Sequence, residues 1–189
     1  MTSATLKTWL PRAIYVVAIA TVVHVTAVAY LPTGVMNTLF RRFPADYARP
    51  DAAERFARSP MADATMRHIT MPSPDLLYTA CIYDLTHAPL RVRADPKLEN
   101  YWSVAFYAGN TDNYLVVNDR GANGKPVDIL LVSTSGVKAP KKVPDGARVV
   151  VAPTDKGFIL VRMLAPDYAA QKDKLEAARE RLSCTYWRD

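Results

Sequence analysis

The feature that most limits what this chain can become is residues 13–31, AIYVVAIATVVHVTAVAYL, a run without a single Asp, Glu, Lys or Arg. Wound as a helix that rises about 1.5 Å per residue, it spans roughly the 30 Å of a bilayer's hydrocarbon core. Lys7 and Arg12 precede it and point the N-terminus toward the cytoplasm, while Arg41 and Arg42 follow closely enough to weaken that signal. Ala27-Val28-Ala29 also fits a leader-cleavage site, so a cleaved signal peptide competes with a retained anchor. The apolar run continues through Tyr30 and Leu31, longer than most signal cores, which favours retention. Either outcome places the following residues outside the cytoplasm. His24 has no acidic partner in the segment and reads as a neutral polar residue.

The chain then divides into a cytoplasmic N-terminus (1–12), a transmembrane helix or signal anchor (13–31), a tether (32–74) and a β domain with a C-terminal helix (75–189). Within the tether, Asp51 ahead of AAERFAR, with Glu54 three residues on, has the spacing of a capped short helix. From Asp75 the pattern turns to strands: LLYTACIYDL, PLRVRA, YWSVAFYA, NYLVVND, DILLVST, ARVVVAP and GFILVRML. Asn-Gly, Pro-Asp-Gly and Asp-Lys-Gly separate several of them, and Asp155-Lys156-Gly157 is the best hairpin signal. Tyr168, Gln171, Leu175, Ala178 and Leu182 recur at helical spacing and predict an amphipathic helix over 167–182. The expected fold is mainly β (α+β): an antiparallel β-sandwich or barrel-like domain with a C-terminal amphipathic helix, preceded by one N-terminal transmembrane helix. Fourteen prolines against seven glycines agree with short strands and stiff turns.

A net charge of +6 is spread along the chain, and its densest run, Lys138 to Lys142, adjoins a Pro-Asp-Gly turn. No basic face interleaved with aromatics emerges, so nucleic acid is not an expected partner; the cytoplasmic membrane is. His68 and His87 lack metal-ligand spacing, and no nucleophile elbow, phosphate loop or dinucleotide fingerprint occurs. No metal or cofactor is expected, and no catalytic residue can be assigned.

Three polar residues stand out at the first strand. Tyr78 and Asp84 share one strand face by parity and could line one pocket, with Asp75 at its rim. Turn formation after Pro74 and before Pro89 is the plainer explanation for the two aspartates. Asn110 and Asn113 lie in an oxygen-rich stretch that could hold a sugar, a carboxylic acid or calcium, although Asx residues dominate turns for local reasons. Cys81 and Cys184 are the two cysteines, both outside the apolar run. An oxidising compartment permits a bond between them, and two buried thiols are the alternative.

The run from Pro72 to Arg120 resembles the bacterial domain of unknown function 1254 family. The likeness rests on Asp75, Leu77, Tyr78, Asp84, Leu85, Pro89, Tyr101, Tyr107, Asn110 and Asn113, and covers about residues 60–182. Where that family usually reads Asn-x-Asp-Thr-Leu-Tyr, this chain has Ser73-Pro74-Asp75-Leu76-Leu77-Tyr78. The resemblance implies the β fold, and it implies a partner, because longer members carry a second β-rich module of the domain of unknown function 1214 type. Asp75, Tyr78, Asp84, Tyr107, Asn110 and Asn113 are the ligand-binding candidates. The expected function is a membrane-anchored cell-envelope module, single-pass with its soluble domain in the periplasm or outside. It would bind a small polar ligand or assemble with a second β module. The alternative is an envelope enzyme acting on a small organic acid or glycan. Tyr186 and Trp187, beyond the expected helix, are the aromatics expected to face such a partner.

Overall fold

Strand sequences here are apolar, β-branched and aromatic, and the computed structural model pairs them into two sheets packed face to face. It describes residues 3–42 (side chains from Trp9), 56–63, 65–66, 72–134, 140 and 142–188. The elements in order are α1 (Ser3–Arg42), β1 (Ala57–Arg58), β2 (Leu76–Asp84), β3 (Leu90–Ala94), β4 (Trp102–Ala108), β5 (Asn113–Asn118), α2 (Asp119–Ala122), β6 (Val127–Ser133), β7 (Arg148–Ala152), β8 (Lys156–Leu164), α3 (Tyr168–Glu180) and β9 (Leu182–Tyr186). One sheet runs β1-β2-β8-β4-β5 and the other β7-β6-β3-β9. Every neighbouring pair is antiparallel except β6 and β7, which are parallel. The fold is α+β and mainly β.

Burial follows the sequence period. On β3, Leu90, Val92 and Ala94 enter the core while Arg91 and Arg93 face out, where both guanidinium groups reach Asp128 on β6. β2 shows no such alternation, because both of its faces are covered. Its odd residues Leu77, Cys81 and Tyr83 join the inter-sheet core, while Ala80 and Ile82 pack outward with Phe158 against Met36 of α1. Cys81 and Cys184 are disulfide-bonded, tying β2 to β9 across the sandwich.

Helix α1 does not stop at Leu31 but continues through Pro32 to Arg42, so the first part of the expected tether is helical. Met36, Leu39 and Phe40 supply the reason: at helical spacing they form a short apolar stripe that the sheet buries. Among the described residues α1 holds the one helix long and apolar enough to cross a bilayer, and none of its most apolar window packs on the domain. It is compatible with a single-pass anchor or a signal sequence. The expected cap at Asp51 falls outside the described residues.

Two expectations are corrected. Asp155-Lys156-Gly157 closes no hairpin, since β7 and β8 belong to different sheets. Gly157 lies inside β8, where the Tyr83 phenol and the Tyr107 carbonyl occupy the space a Cβ would need, within 2.1 and 2.3 Å. The glycine is there for close packing rather than for a turn. At the C-terminus the helix ends at Glu180, and Leu182–Tyr186 form strand β9 along β3. Leu182 points into the core from a strand, not from the helix face.

Helix α3 is capped by Asp167, whose carboxylate accepts from the Ala170 amide. Its inward residues Leu175 and Ala178 join the core, and Arg179, only 4% exposed, is the third. That guanidinium donates to the Ser59 and Tyr78 carbonyls, to Thr79 Oγ1 and to Glu176, and so fastens the helix to the β1–β2 edge.

Two stability changes follow. Reducing the disulfide, or replacing Cys184 by Ala, releases a loop of separation 103; the expected loss is about 4 kcal/mol, read as a fall in Tm on adding reductant. Gly157→Ala should cost about 1–3 kcal/mol through overpacking against Tyr83, measured by denaturant unfolding.

Candidate functional site

Parity puts Tyr78 and Asp84 on one face of β2, yet six positions along a strand separate them by about 20 Å. The structure therefore does not bring them together. Tyr78 sits toward the start of β2, 8% exposed, its hydroxyl accepting from the Ser73 amide. Asp75 lies exposed just before the strand, and its backbone carbonyl accepts from Ala165. Asp84 ends the strand beside a cavity of about 400 Å³ lined by Asn37, Phe40, Arg41, Ile82, Tyr83, Asp84 and Lys156.

This cavity exists because α1 lies on the sheet. The last turns of the helix contribute Asn37, Phe40 and Arg41, while the ends of β2 and β8 contribute the rest. Phe40 and Ile82 make an apolar wall, and three charges gather around it. Lys156 Nζ stands 3.1 Å from Asp84 Oδ2. The other carboxylate oxygen, Oδ1, accepts from the Thr86 amide at 3.1 Å and the Thr86 hydroxyl at 2.6 Å. Burial acts to raise the Asp84 carboxyl, but the Thr86 hydrogen bonds and Lys156 outweigh it and hold the group below the ordinary carboxylate value. Asp84 is thus an ionised, well-held anion at neutral pH and a poor proton acceptor.

Behind the wall, two phenols form a chain. Tyr114 donates to the Tyr83 hydroxyl at 3.1 Å, and Tyr83 donates to the Tyr107 carbonyl at 3.2 Å. Burial raises both phenols above the ordinary value; hydrogen bonding partly offsets this at Tyr83, whereas at Tyr114 the neighbouring Tyr83 adds to it. Both stay neutral across the physiological range and act as fixed dipoles.

Of the remaining candidates, Tyr107 packs outward against Phe158, with ring centroids 6.3 Å apart, close to α1. Asn110 spends its side chain on the turn, donating to Asp112 at 2.7 Å and accepting from the Asp112 amide. Asn113 opens β5, exposed and paired opposite Tyr107. Among the described residues no three His, Cys, Asp or Glu side chains converge as a metal site would require, and His68 lies outside them. Tyr186 donates to the Asp84 carbonyl at 2.7 Å; Trp187 donates to the Lys142 carbonyl and lies under the Arg91 guanidinium. Sequence reasoning passed over Arg41 and Lys156, the first read as an orientation signal and the second as part of a turn.

A second cavity, about 390 Å³, opens at the other end of the sandwich, where Asp95, Lys97, Glu99, Asp119 and Lys125 surround Trp102. Lys97 sits there in the left-handed region, at φ 53°, and pairs with Asp95 at 3.1 Å. Its charges are mixed, and none of the expected site residues lines it.

The depressed Asp84 carboxyl sets a pH dependence. A carboxyl whose folded value lies below its ordinary 3.8 contributes stability above that pH and loses it as pH falls through the folded value. In an NMR titration, Asp84 should show its midpoint below 3.8. Lys156→Gln and Thr86→Ala should each move it upward.

Comparison with known proteins agrees with this architecture. No curated protein matches significantly. The crystal structure of the VPA0106 protein from Vibrio parahaemolyticus is similar at a TM-score of 0.54 and 14% identity, over 61% of this chain and 28% of that one. A putative uncharacterized protein from Burkholderia cenocepacia gives a TM-score of 0.39 and 17% identity, over 57% of this chain and 31% of its own. This chain therefore spans less than a third of either protein's length. The profile of a family described as a protein of unknown function, DUF1254, matches residues 53–186, which carry both sheets and α3, and the chain belongs to that family.

Proposed function

We propose that this protein is a membrane-anchored module of the cell envelope that binds a small polar ligand beside its own anchor. The observation that carries this reading is the cavity of about 400 Å³ between the last turns of α1 and the five-stranded sheet. It combines an apolar wall with a few convergent charged groups, the usual composition of a small-ligand site. Arg41 and Lys156 outnumber Asp84 among its lining charges, which suits a ligand bearing a carboxylate or phosphate. The Cys81–Cys184 bond supports placement in an oxidising compartment outside the cytoplasmic membrane. Acid–base catalysis gains no support from Asp84, because a depressed, ion-paired carboxylate is badly matched to proton transfer near neutrality.

A second reading, assembly with another β module, draws support from a different place. Strand β7 is a sheet edge whose Val149 and Val151 are 44% and 54% exposed. Exposed apolar edges are surfaces that proteins usually cover. The Vibrio parahaemolyticus protein is more than three times as long as the part of it that matches, which leaves room there for a further module. A domain of the 1214 type is the partner this reading names.

Topology and binding test the two parts separately. A reporter active only outside the cytoplasm, fused after Asp189, should be active, and the protein should stay with membranes through a carbonate wash. Cytoplasmic reporter activity would overturn the anchored reading. For binding, organic acids and sugars at millimolar concentration should shift cavity amide resonances of the detergent-solubilised protein. Lys156→Gln should weaken that binding about tenfold, as loss of a charge-assisted hydrogen bond predicts.

A further inference from the structure

The outer face of the five-stranded sheet is divided. Its lower half, Ala80, Ile82, Phe158 and Tyr107, lies under α1. Its upper half carries a row of polar side chains set by strand register. Tyr78 on β2 stands opposite Arg162 on β8, Arg162 opposite Ser103 on β4, and Ser103 opposite Asn118 on β5. Directly opposed residues of antiparallel strands project to the same face with Cβ atoms about 5 Å apart. Four polar groups thus cross four strands in line.

The hydrogen-bond inventory of that row is one-sided. Arg162 Nε is buried and has no partner, and Arg162 forms no ion pair among the described residues. Ser103 is fully buried; its oxygen accepts from the Tyr101 hydroxyl at 2.9 Å, and its own proton has no acceptor among the described residues. Tyr78, 8% exposed, accepts from the Ser73 amide and donates to none of them. Asn118 uses its carbonyl oxygen to cap α2 through Gly121, which leaves its amide N–H groups without an acceptor there. The groups the row leaves unspent among the described residues are donors, and it holds no carboxylate. A buried guanidinium N–H left unpaired carries its full desolvation cost.

Other arginines seated on the sheets show how the molecule normally meets that cost. Arg91 makes a two-point contact with Asp128, at 2.9 and 2.6 Å. Arg179 spends its donors on Thr79, Glu176 and two carbonyls. Arg162 stands apart: half-buried, centred on the sheet, flanked by hydroxyls. We propose that Tyr78, Arg162, Ser103 and Asn118 form a binding site for a small oxyanion, a carboxylate or phosphate group. A planar guanidinium fork engages such a group at two points, and the adjoining hydroxyls supply further donors. Tyr101, 37% exposed, and the half-buried Leu160 and Leu164 border the row and would contact a short apolar body on the ligand. The site is separate from the cavity at the end of α1 and does not depend on it.

Calorimetric titration of the full-length, detergent-solubilised protein with succinate and with inorganic phosphate tests this, with chloride at matched ionic strength as the control. Saturable binding of either anion, absent with chloride, is expected. In the Lys156→Gln background, where the cavity beside α1 is weakened, Arg162→Met should abolish it; Arg162→Lys, which keeps the charge without the fork, should weaken it at least tenfold. Ser103→Ala and Tyr78→Phe should each weaken it several-fold, with circular dichroism and Tm showing that each variant is folded. Lys172→Gln, a charge change on the exposed face of α3, should leave it unchanged. No saturable binding by the wild type, or full binding retained by Arg162→Met in the Lys156→Gln background, would overturn the proposal. Binding lost in Lys156→Gln but retained in Arg162→Met would overturn it while supporting the cavity beside α1. Whether succinate or phosphate binds more tightly distinguishes an organic acid from a phosphorylated ligand.

Discussion

Strand β2 is covered on both faces, and most of the molecule is arranged around that fact. Inward, Cys81 bonds to Cys184 and joins the five-stranded sheet to β9 of the other. Outward, Ala80 and Ile82 receive Met36 from α1. Along one edge, Arg179 holds the Tyr78 carbonyl and Thr79 and so fixes α3. A strand exposed on one side would tolerate polar residues at alternate positions, whereas this one reads LLYTACIYD, with polar groups concentrated near its ends. Helix, second sheet and C-terminal strand all meet there, so both candidate sites are set by where β2 begins and ends.

How much of this was legible in the sequence depended on the range of the interaction. Strand periodicity is local, and the strands from β2 to β8 lie where their apolar runs predict. Pairing is not local. Asp155-Lys156-Gly157 has hairpin chemistry, but nothing nearby says that the Tyr83 ring, 74 positions upstream of Gly157, needs the space of a missing Cβ. Leu182 fits a helical stripe as well as a strand, and only the partner strand β3 decides between them. Met36, Leu39 and Phe40 form too short a stripe to stand out from a polar, proline-containing stretch, although their spacing is helical.

The candidate residues show the same limit. Parity correctly places Tyr78 and Asp84 on one face of β2, but parity carries no information on distance along a strand, and the two belong to different ends. Asn110 answers to local turn chemistry, which explains why Asx-rich loops are weak pointers to ligands. Arg162 did leave a trace: one cation inside GFILVRML, an otherwise apolar strand, has to find a reason for its position. That trace becomes an argument only with the register, which surrounds it with Tyr78 and Ser103 instead of a carboxylate.

The two halves of the outer sheet face then follow from a single difference in covering. Under α1 the face is apolar, because Met36 and Phe40 exclude water and any polar group there would need a partner within the fold. Away from that apolar cluster the face carries donors, and of these only the half-buried Arg162 and Asn118 keep appreciable access to water. A shorter apolar stripe on α1 would have left no wall for the cavity at Asp84. The stripe of Met36, Leu39 and Phe40 packs on Ala80, Ile82 and Phe158, and Arg162 lies outside that cluster. The apolar stripe of that one helix thus sets which part of the sheet is packed against it and which part is a walled cavity.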